Sequence, residues 1–455
     1  MADVSGFPYL EVQFDKDGNI FGPDDGPKAA DFVAENGLTD LFVPSHGWNN
    51  DMQEARDLYR NFFASVRAVL DHEFPALSGR RFGVLAVLWP SKKFADADLI
   101  PSGAAGANAP LGDEAVTQHL DHLKGVFDAP GADAALERAK SLVPELDDSP
   151  QARRQFVDLV RSALTRRGGD HEDAASESDL FFTRDGDAIL NKLKQPILPT
   201  AAPAAGGPKP PRGGAAGIVG DLAGGVQAGV SKVVGGVRAG LSGMRAGADR
   251  LLNFATYYQM KERAGLVGRT GVYQVLRAIR GRHSGAKVHL IGHSFGGRLV
   301  TSAALGPDGP GPIRPESMTL LQAAFSHHGF ASRFDGANDG SFRAVVADRR
   351  ISGPILITHS VQDEAVGIAY PLASRIAGQD ASALGDANDR YGGIGRNGAQ
   401  KTAEAVPGTL LPVGGAYTFS AGKVFNLNAD RVITGHSDIC KPQVAYALLA
   451  AVATT

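Results

Sequence analysis

Short apolar runs recur near both ends of the chain and predict strands that are covered on both faces. Runs of about four to eight apolar residues between turn signals are typical of such strands. They occupy residues 38–44, 82–89, 287–291, 317–325, 354–359 and 424–427. Stretches with helical periodicity separate them, so the pattern predicts an α/β fold.

The predicted helices show apolar residues at helical spacing. From Leu58 to Leu70 every fourth residue is apolar, and Asp51 with Glu54 upstream matches a capping box. Further helical stretches cover residues 134–142, 156–164, 257–280, 297–304 and 442–452.

The start of the chain has a different pattern, which predicts an antiparallel hairpin. Residues 10–14 alternate between apolar and polar, residues 15–19 are a turn signal, and residues 20–21 are apolar again. We expect this hairpin to lie at the edge of the sheet.

The alternation of strands and helices stops in the middle of the chain, which divides it into three parts. Residues 1–91 and 256–455 have the α/β pattern, and residues 92–255 form a helical insertion. A chain of 455 residues is long for one compact domain, which agrees with a core that holds a large insertion. Residues 195–214, rich in Pro, Ala and Gly, predict a flexible or polyproline-like linker.

An internal repeat follows this linker. Residues 219–229 and 230–240 are closely similar, and a weaker third copy begins at Leu241. An 11-residue apolar period keeps one face of a helix nearly straight, so the segment is patterned as a long helix. Its many glycines make it a poor helix in isolation. We favour packing on protein for residues 215–250, with peripheral membrane contact and disorder as alternatives.

Charge and composition exclude several classes of function. The formal net charge of -3 provides no basic face for nucleic acid. Cys440 is the only cysteine, so no internal disulfide can form. The first residues lack the basic and apolar regions of a signal peptide, and no apolar run reaches the roughly 18 residues of a membrane span. These features predict a cytoplasmic protein without a nucleic-acid partner.

One strand–turn–helix transition contains a candidate nucleophile. The strand at 287–291 is followed by Gly292-His293-Ser294-Phe295-Gly296, and a helical pattern begins at once. A serine at such a turn adopts a strained backbone conformation, and a Cβ at either glycine would collide with a neighbouring strand or helix. Ser294 is therefore the candidate nucleophile, and a plain glycine-rich turn is the alternative.

With this motif the chain resembles the α/β-hydrolase superfamily, particularly its lipase and esterase branch, over residues 10–90 and 257–455. The resemblance implies a doubly wound, mostly parallel sheet, with the insertion placed before the elbow strand. It also implies an oxyanion hole formed by the backbone N–H groups of Trp48 and Phe295. The alternative is structural: Gly47 would permit a left-handed turn, and His46 would cap the next helix.

The same resemblance assigns the remaining catalytic residues. A serine hydroxyl needs a base whose pKa is near 7, which means histidine. In this superfamily the order along the chain is serine, acid, histidine. The resemblance therefore implies Asp363 as the acid, with Glu364 as the alternative, and His436 as the base. Ordinary turn or helix-capping roles are the competing interpretation of Asp363 and His436.

The other histidines and glycines are weaker signals. His46, Gly47 and His293 are candidate substrate-binding residues at the rim, although the side chain of His293 should point away from Ser294. No histidine set has the spacing of a metal site, and we expect neither a metal nor a cofactor. Residues 393–398 match G-x-G-x-x-G, but no buried strand precedes them, which argues against a dinucleotide site. Arg396, within that match, could reach the mouth of the site.

These residues together predict a serine hydrolase that cleaves small-molecule carboxylic esters, including lipids, through an acyl-enzyme. An amide or peptide substrate is one alternative, because the same machinery cleaves both kinds of bond. A non-catalytic protein that binds a membrane or a partner is another, because a fold does not determine function.

Overall fold

A nine-stranded sheet forms the centre of the described structure. The computed structural model describes residues 2–22, 24–48, 50–91, 112–165, 180–194, 243–307, 313–363 and 392–455. The strands are β1 (Asp3–Val4), β2 (Phe7–Gln13), β3 (Asp40–Ser45), β4 (Phe82–Leu88), β5 (Lys287–His293), β6 (Ser317–Leu321), β7 (Ile355–His359), β8 (Ala405–Thr409) and β9 (Val424–Asn428). Their order is β1-β2-β4-β3-β5-β6-β7-β9-β8, and among these pairs only β1 and β2 are antiparallel.

Helices cover both faces of this sheet. They are α1 (Asp25–Glu35), α2 (Met52–Glu73), α3 (Asp113–His122), α4 (Ala132–Ser141), α5 (Pro150–Ser162), α6 (Gly186–Leu193), α7 (Met244–Val267), α8 (Tyr273–Arg282), α9 (Phe295–Leu305), α10 (Arg343–Ala347), α11 (Ile394–Asn397) and α12 (Pro442–Ala453). Within the described residues, no helix combines the length and the apolar character needed to cross a bilayer.

Alternate residues of each strand point to opposite faces, so the sheet separates two hydrophobic cores. In β3, Leu41 and Val43 belong to the core that α1, α7, α8 and α9 complete, and Phe42 belongs to the core that α2 and α12 complete. The chain therefore has an α/β fold with a mostly parallel sheet.

The chain leaves the neighbouring strands β3 and β5 towards opposite faces. It enters α2 on one face after β3, and α9 on the other face after β5. Because β3 and β5 are parallel, their carboxyl ends lie side by side and the two exits diverge. Ligand sites of open α/β sheets form in the crevice at such a point.

The described part of the insertion is helical and packs on α7. A Cβ added at Gly247 would lie 3.1 Å from the carbonyl oxygen of Leu190 in α6, so α6 and α7 approach closely where glycine permits it. Helix α7 also continues past residue 255. The insertion and the second half of the core therefore share one helix instead of meeting at a break.

Charged residues at the start of α7 turn towards protein. Arg245 pairs with Asp113, and Arg250 donates a hydrogen bond of 2.7 Å to the carbonyl oxygen of Leu193. Of the repeat segment 215–250, only residues 243–250 are described. Their contacts are with other parts of the protein, which is the packing that we favoured for the repeat. The linker at 195–214 and residues 215–242 lie outside the described residues.

The predicted opening hairpin forms, although its second arm is short. Phe14 and Ile20 make an antiparallel bridge, and the N–H of Phe21 donates to the carbonyl oxygen of Gln13 at 2.8 Å. The turn between the two arms forms, because the Asp15 carboxylate accepts the N–H of Asn19 at 2.9 Å. Strand β2 also pairs antiparallel with β1 and parallel with β4. The pairing with β4 extends along most of β2 and is the contact that the hairpin prediction did not include. The predicted position at the sheet edge is confirmed.

Several described elements, among them α1 and β8, have no predicted counterpart, and one strand is shorter than predicted. Helix α1 follows a segment rich in Gly and Pro, and β8 contains Pro407 and Gly408, which are rare inside strands. Strand β8 tolerates them because it lies at the sheet edge. Strand β6 ends at Leu321 because the next residue, Gln322, adopts a φ of 46°.

Candidate active site

Ser294 occupies a sharp turn between β5 and α9. Its φ is 55° and its ψ is -125°, a conformation that residues with a Cβ rarely adopt. Glycines make room for this turn, since a Cβ at Gly296 would overlap the carbonyl oxygen of Ser45, and one at Gly292 would overlap Gly297. The strand–turn–helix elbow that the motif predicts is therefore present.

Backbone hydrogen bonds hold the strained serine from the neighbouring strand. The N–H of Ser294 donates to the carbonyl oxygen of Leu321 at 3.1 Å, and the N–H of Ala324 donates to the carbonyl oxygen of Ser294 at 2.9 Å. The position of the candidate nucleophile thus depends on the end of β6 as well as on β5.

Asp363 and His436 form a hydrogen-bonded pair near the same end of the sheet. Asp363 follows β7, and His436 lies between β9 and α12. Nδ1 of His436 is 2.8 Å and 3.0 Å from the two carboxylate oxygens. The Asp363 side chain is fully buried, and 21% of the His436 side chain is exposed. The contact orients the ring so that Nδ1 faces the carboxylate and Nε2 faces away from it.

The carboxylate controls the protonation of this ring. Burial acts to lower the pKa of His436, but the negative charge of Asp363 and its hydrogen bond outweigh burial, and the pKa is raised above its ordinary value. The pair therefore favours a positive charge on His436. The alternative acid, Glu364, lies outside the described residues.

His293 connects the His436 loop to the elbow. Its Nε2 donates to the carbonyl oxygen of His436 at 2.9 Å, and the two ring centroids are 4.9 Å apart. Because His293 directly precedes Ser294, this contact joins the loop of the candidate base to the elbow.

His293 is a neutral, interior residue. It is 5% exposed. Burial lowers its pKa to about 3, and the charge of His436 acts in the same direction. We therefore revise its predicted place at the substrate rim: His293 positions the His436 loop.

The turn after β3 lies directly against the elbow. A Cβ at Gly47 would be 2.6 Å from the Cβ of Ser294, and the rings of Trp48 and Phe295 are 6.1 Å apart. Within the described residues, the backbone N–H groups of Trp48 and Phe295 have no hydrogen-bond acceptor. Gly47 does not have a positive φ, so the glycine serves close approach and not a left-handed turn.

His46 lies beneath this turn and is completely buried. Its ring stacks on Trp89 with centroids 5.6 Å apart, and its Nε2 accepts the N–H of Trp89 at 3.3 Å. Burial lowers its pKa to about 4. His46 therefore supports the turn from the interior, which corrects its predicted place as a substrate contact. The cap of α2 is Asp51, within the predicted capping box.

Two further side chains hold the acid. Nε2 of Gln322 donates to the Asp363 carboxylate at 3.2 Å. Nη1 of Arg396 donates to the carbonyl oxygen of Val361 at 2.5 Å and lies 3.4 Å from that of Asp363. Sequence reasoning missed Gln322 because a polar residue at the end of an apolar run is an ordinary strand end. The same reasoning expected Arg396 near the mouth of the site but did not predict its contact with the acid loop.

The G-x-G-x-x-G segment has a structural use. The carbonyl oxygen of Gly395 accepts Nε2 of Gln322 at 3.0 Å, and its N–H donates to Ala323 at 2.9 Å. A Cβ at Gly395 would be 2.5 Å from the carbonyl carbon of Gln322. The glycine therefore brings α11 against the end of β6, next to the acid.

A second Asp–His–Ser set lies at the amino ends of the strands. Nε2 of His289 is 2.9 Å from the Asp40 carboxylate, and Nδ1 is 2.8 Å from the hydroxyl of Ser317. All three residues are 0% exposed. Because no substrate can reach them there, this set is structural, and it provides a comparison for the candidate site.

Comparisons with protein-family models, with curated proteins and with solved structures found no match for this chain. In the part of the chain that the structure describes, no group of three or more His, Cys, Asp or Glu side chains could hold a metal ion. The chemistry of the site is therefore inferred from Ser294, Asp363, His436 and their surroundings.

Proposed function

We propose that the chain is a serine hydrolase of the α/β-hydrolase type that cleaves carboxylic esters through an acyl-enzyme on Ser294. The observation that supports this most directly is the Asp363–His436 pair, 2.8 Å apart, whose loop is bonded to the residue before Ser294. Ser294, Asp363 and His436 follow β5, β7 and β9, which are parallel strands of one sheet, so all three come after carboxyl ends at the same edge of the sheet.

The proposed reaction has two proton transfers in each half. Oγ of Ser294 attacks the ester carbonyl while its proton passes to Nε2 of His436. His436 then gives this proton to the departing alkoxide, so the ester C–O bond breaks and an alcohol leaves. Water repeats the steps: His436 takes its proton, the acyl bond to Oγ breaks, and Ser294 regains a proton as the acid leaves.

The N–H groups of Trp48 and Phe295 are the proposed donors to the oxyanion of each tetrahedral intermediate. Preorganised donors of this kind are typically worth a factor of about 10² to 10³ in rate. The ring of Tyr257 lies 5.0 Å from that of Phe295, and Phe295 in turn lies beside Trp48. This aromatic group next to the serine favours an apolar acyl chain in the substrate, as in a fatty ester.

The first test is covalent labelling by a fluorophosphonate probe. We expect the folded protein to be labelled, and Ser294→Ala to abolish the labelling because the reactive oxygen is removed. His436→Gln should slow the labelling by about 10³-fold or more, since the serine then lacks its base. Mass spectrometry of the labelled peptide identifies the serine.

Ser317→Ala is the matched control, because Ser317 belongs to the buried Asp–His–Ser set. Labelling of this variant should persist. A well-folded wild-type protein that no probe labels would contradict an enzyme and favour the scaffold interpretation. Hydrolysis of p-nitrophenyl esters of increasing chain length, beside the matching anilides, then separates ester from amide preference.

A further inference from the structure

We infer that Gln322 is a positioning residue of this site: its side-chain amide holds the Asp363 carboxylate in the orientation in which it meets Nδ1 of His436. The inference rests on the proposed function, because it concerns the acid of the proposed triad. It adds a fourth residue, which directly follows β6, a strand that precedes none of the other three residues.

The amide of Gln322 has two acceptors. Its Nε2 lies 3.2 Å from Oδ2 of Asp363 and 3.0 Å from the carbonyl oxygen of Gly395. Gln322 is fully buried, and its Oε1 has no partner within the described residues. A flipped amide would place Oε1 against a carboxylate and a carbonyl, so the two acceptors determine which end faces the acid.

The backbone of Gln322 is strained, with a φ of 46°. The described non-glycine residues with positive φ include several at the surface, and only Ser294 and Gln322 among them are buried. Buried strain persists only where the surroundings enforce it, and such residues cluster at functional sites. The nucleophile and the residue that holds the acid are the two that show it here.

The strained segment also contacts the elbow. The residue before Gln322, Leu321, accepts the N–H of Ser294, and Ala324 donates to the carbonyl oxygen of Ser294. The same few residues therefore hold the nucleophile through backbone bonds and the acid through a side chain. Gln322 relates the positions of Ser294 and Asp363 to each other.

The amide also affects the proton affinity of His436. The groups that meet this ring are the Asp363 carboxylate and the His293 imidazole. Asp438, in the same loop, accepts the N–H of Thr434, and Arg396 contacts the backbone of the acid loop. Without the Nε2 donor, the Asp363 carboxylate is less stabilised and more basic. It then holds the proton of His436 more strongly.

The test compares Gln322→Met, which keeps the side-chain length and removes the donor, with the wild type. The titration of His436 is followed by NMR, with its signal identified by its loss in His436→Gln. We expect the pKa of His436 to rise by roughly one unit, a tenfold change in proton affinity. Fluorophosphonate labelling at pH 7 should slow on the order of tenfold. Gln322→Glu, which places a second carboxylate beside the first, should raise the pKa further.

Gln274→Met, at an exposed position of α8, is the control for glutamine replacement and should change neither quantity. If Gln322 has only a structural role, its replacement should lower the labelling rate at every pH and leave the pKa of His436 unchanged. That result in both Gln322→Met and Gln322→Glu overturns the inference. The NMR titration measures the pKa of His436 without turnover. If the wild-type protein is not labelled, the proposed function is rejected, and the titration still decides whether Gln322 acts on the Asp363–His436 pair.

Discussion

At the scale of single residues, two adjacent imidazoles of the site differ in pKa because their surroundings differ. His293 and His436 lie with their centroids 4.9 Å apart. Burial lowers the pKa of His293 to about 3, whereas Asp363 raises the pKa of His436 despite its burial. His293 therefore stays neutral and can serve as a fixed support, whereas the pKa of His436, the proposed general base, lies above its ordinary value.

The pH dependence of the proposed reaction follows from this difference. His436 must be neutral to accept the serine proton. A raised pKa keeps the ring protonated up to a higher pH, and the protonated ring cannot act as a base. We expect kcat/KM for a soluble p-nitrophenyl ester to rise with pH through a limb whose midpoint lies above about 6.5, the ordinary histidine value. In Asp363→Asn the limb should move to lower pH, because burial then acts without the opposing charge.

The plateau rate of Asp363→Asn should also fall by about 10⁴-fold, since the ring loses its orienting partner. Asp438→Asn is the control: Asp438 lies in the same loop but pairs with Lys441 at 2.9 Å. A limb that stays in place when Asp363 is replaced would show that Asp363 does not act on His436.

At the scale of elements, the segment from α7 to α8 shows how glycines permit close packing. The five residues Gly268–Val272 between these helices form a π-helical turn. A Cβ at Gly268 would overlap the carbonyl oxygen of Leu299 in α9, and one at Gly271 would overlap the carbonyl oxygen of Gly18. The segment therefore fits against the helix that follows the nucleophile and against the turn near the sheet edge.

Two glycines of this segment should respond to alanine in opposite ways. Gly268→Ala forces a Cβ into the backbone of α9, and we expect a loss of about 1–3 kcal/mol in the free energy of unfolding. Gly281, in α8, has nothing within 4 Å of its Cβ position. Gly281→Ala should therefore stabilise the protein by up to about 1 kcal/mol, because alanine is the better helix former. Urea unfolding measures both, and equal effects would contradict the packing argument.

At the scale of the whole molecule, a buried ionic network opposite the candidate site ties the C-terminus to the sheet. The Asp40 carboxylate accepts hydrogen bonds from Arg80 at 2.8 Å, from His289 at 2.9 Å and from Thr39 at 2.6 Å. Arg80 also donates to the carbonyl oxygen of Val452 at 3.0 Å. The network joins β3, β5 and the end of α12, which closes one core.

This network predicts how stability depends on pH. Burial acts to raise the pKa of Asp40, but the hydrogen bonds from Arg80, His289 and Thr39 outweigh it, and the pKa is lowered well below its usual range. A lowered folded-state pKa contributes stability above the unfolded value of about 3.9, and this contribution is lost as pH falls through the folded value. Asp40→Asn should cost about 3 kcal/mol at pH 7, and less as the pH approaches 3.

Urea unfolding over pH 3 to 7 measures this difference. Asp31→Asn is the control, because Asp31 pairs with Arg282 where both side chains are more than half exposed (57% and 52%). Its effect should stay below about 0.5 kcal/mol at every pH. A constant cost of Asp40→Asn across the range would contradict the lowered pKa.

Much of the fold follows from patterns that are local in the sequence. The apolar runs at 38–44, 82–89 and 354–359 become β3, β4 and β7, and the capping box at Asp51 begins α2. Such patterns are decided by residues a few positions apart. The opening hairpin also forms, but the pairing of β2 with the distant strand β4 was not predicted, because the residues of β2 do not specify that partner.

The sequence by itself determined the α/β class, the strands on either side of the elbow and the residue types that the proposed chemistry needs. Tertiary structure alone decided which of these residues meet: it paired Asp363 with His436, buried His46 and His293, and brought Gln322 to the acid. The physical reason is that burial and partnership depend on how distant segments pack, and a single sequence contains no direct record of those distances.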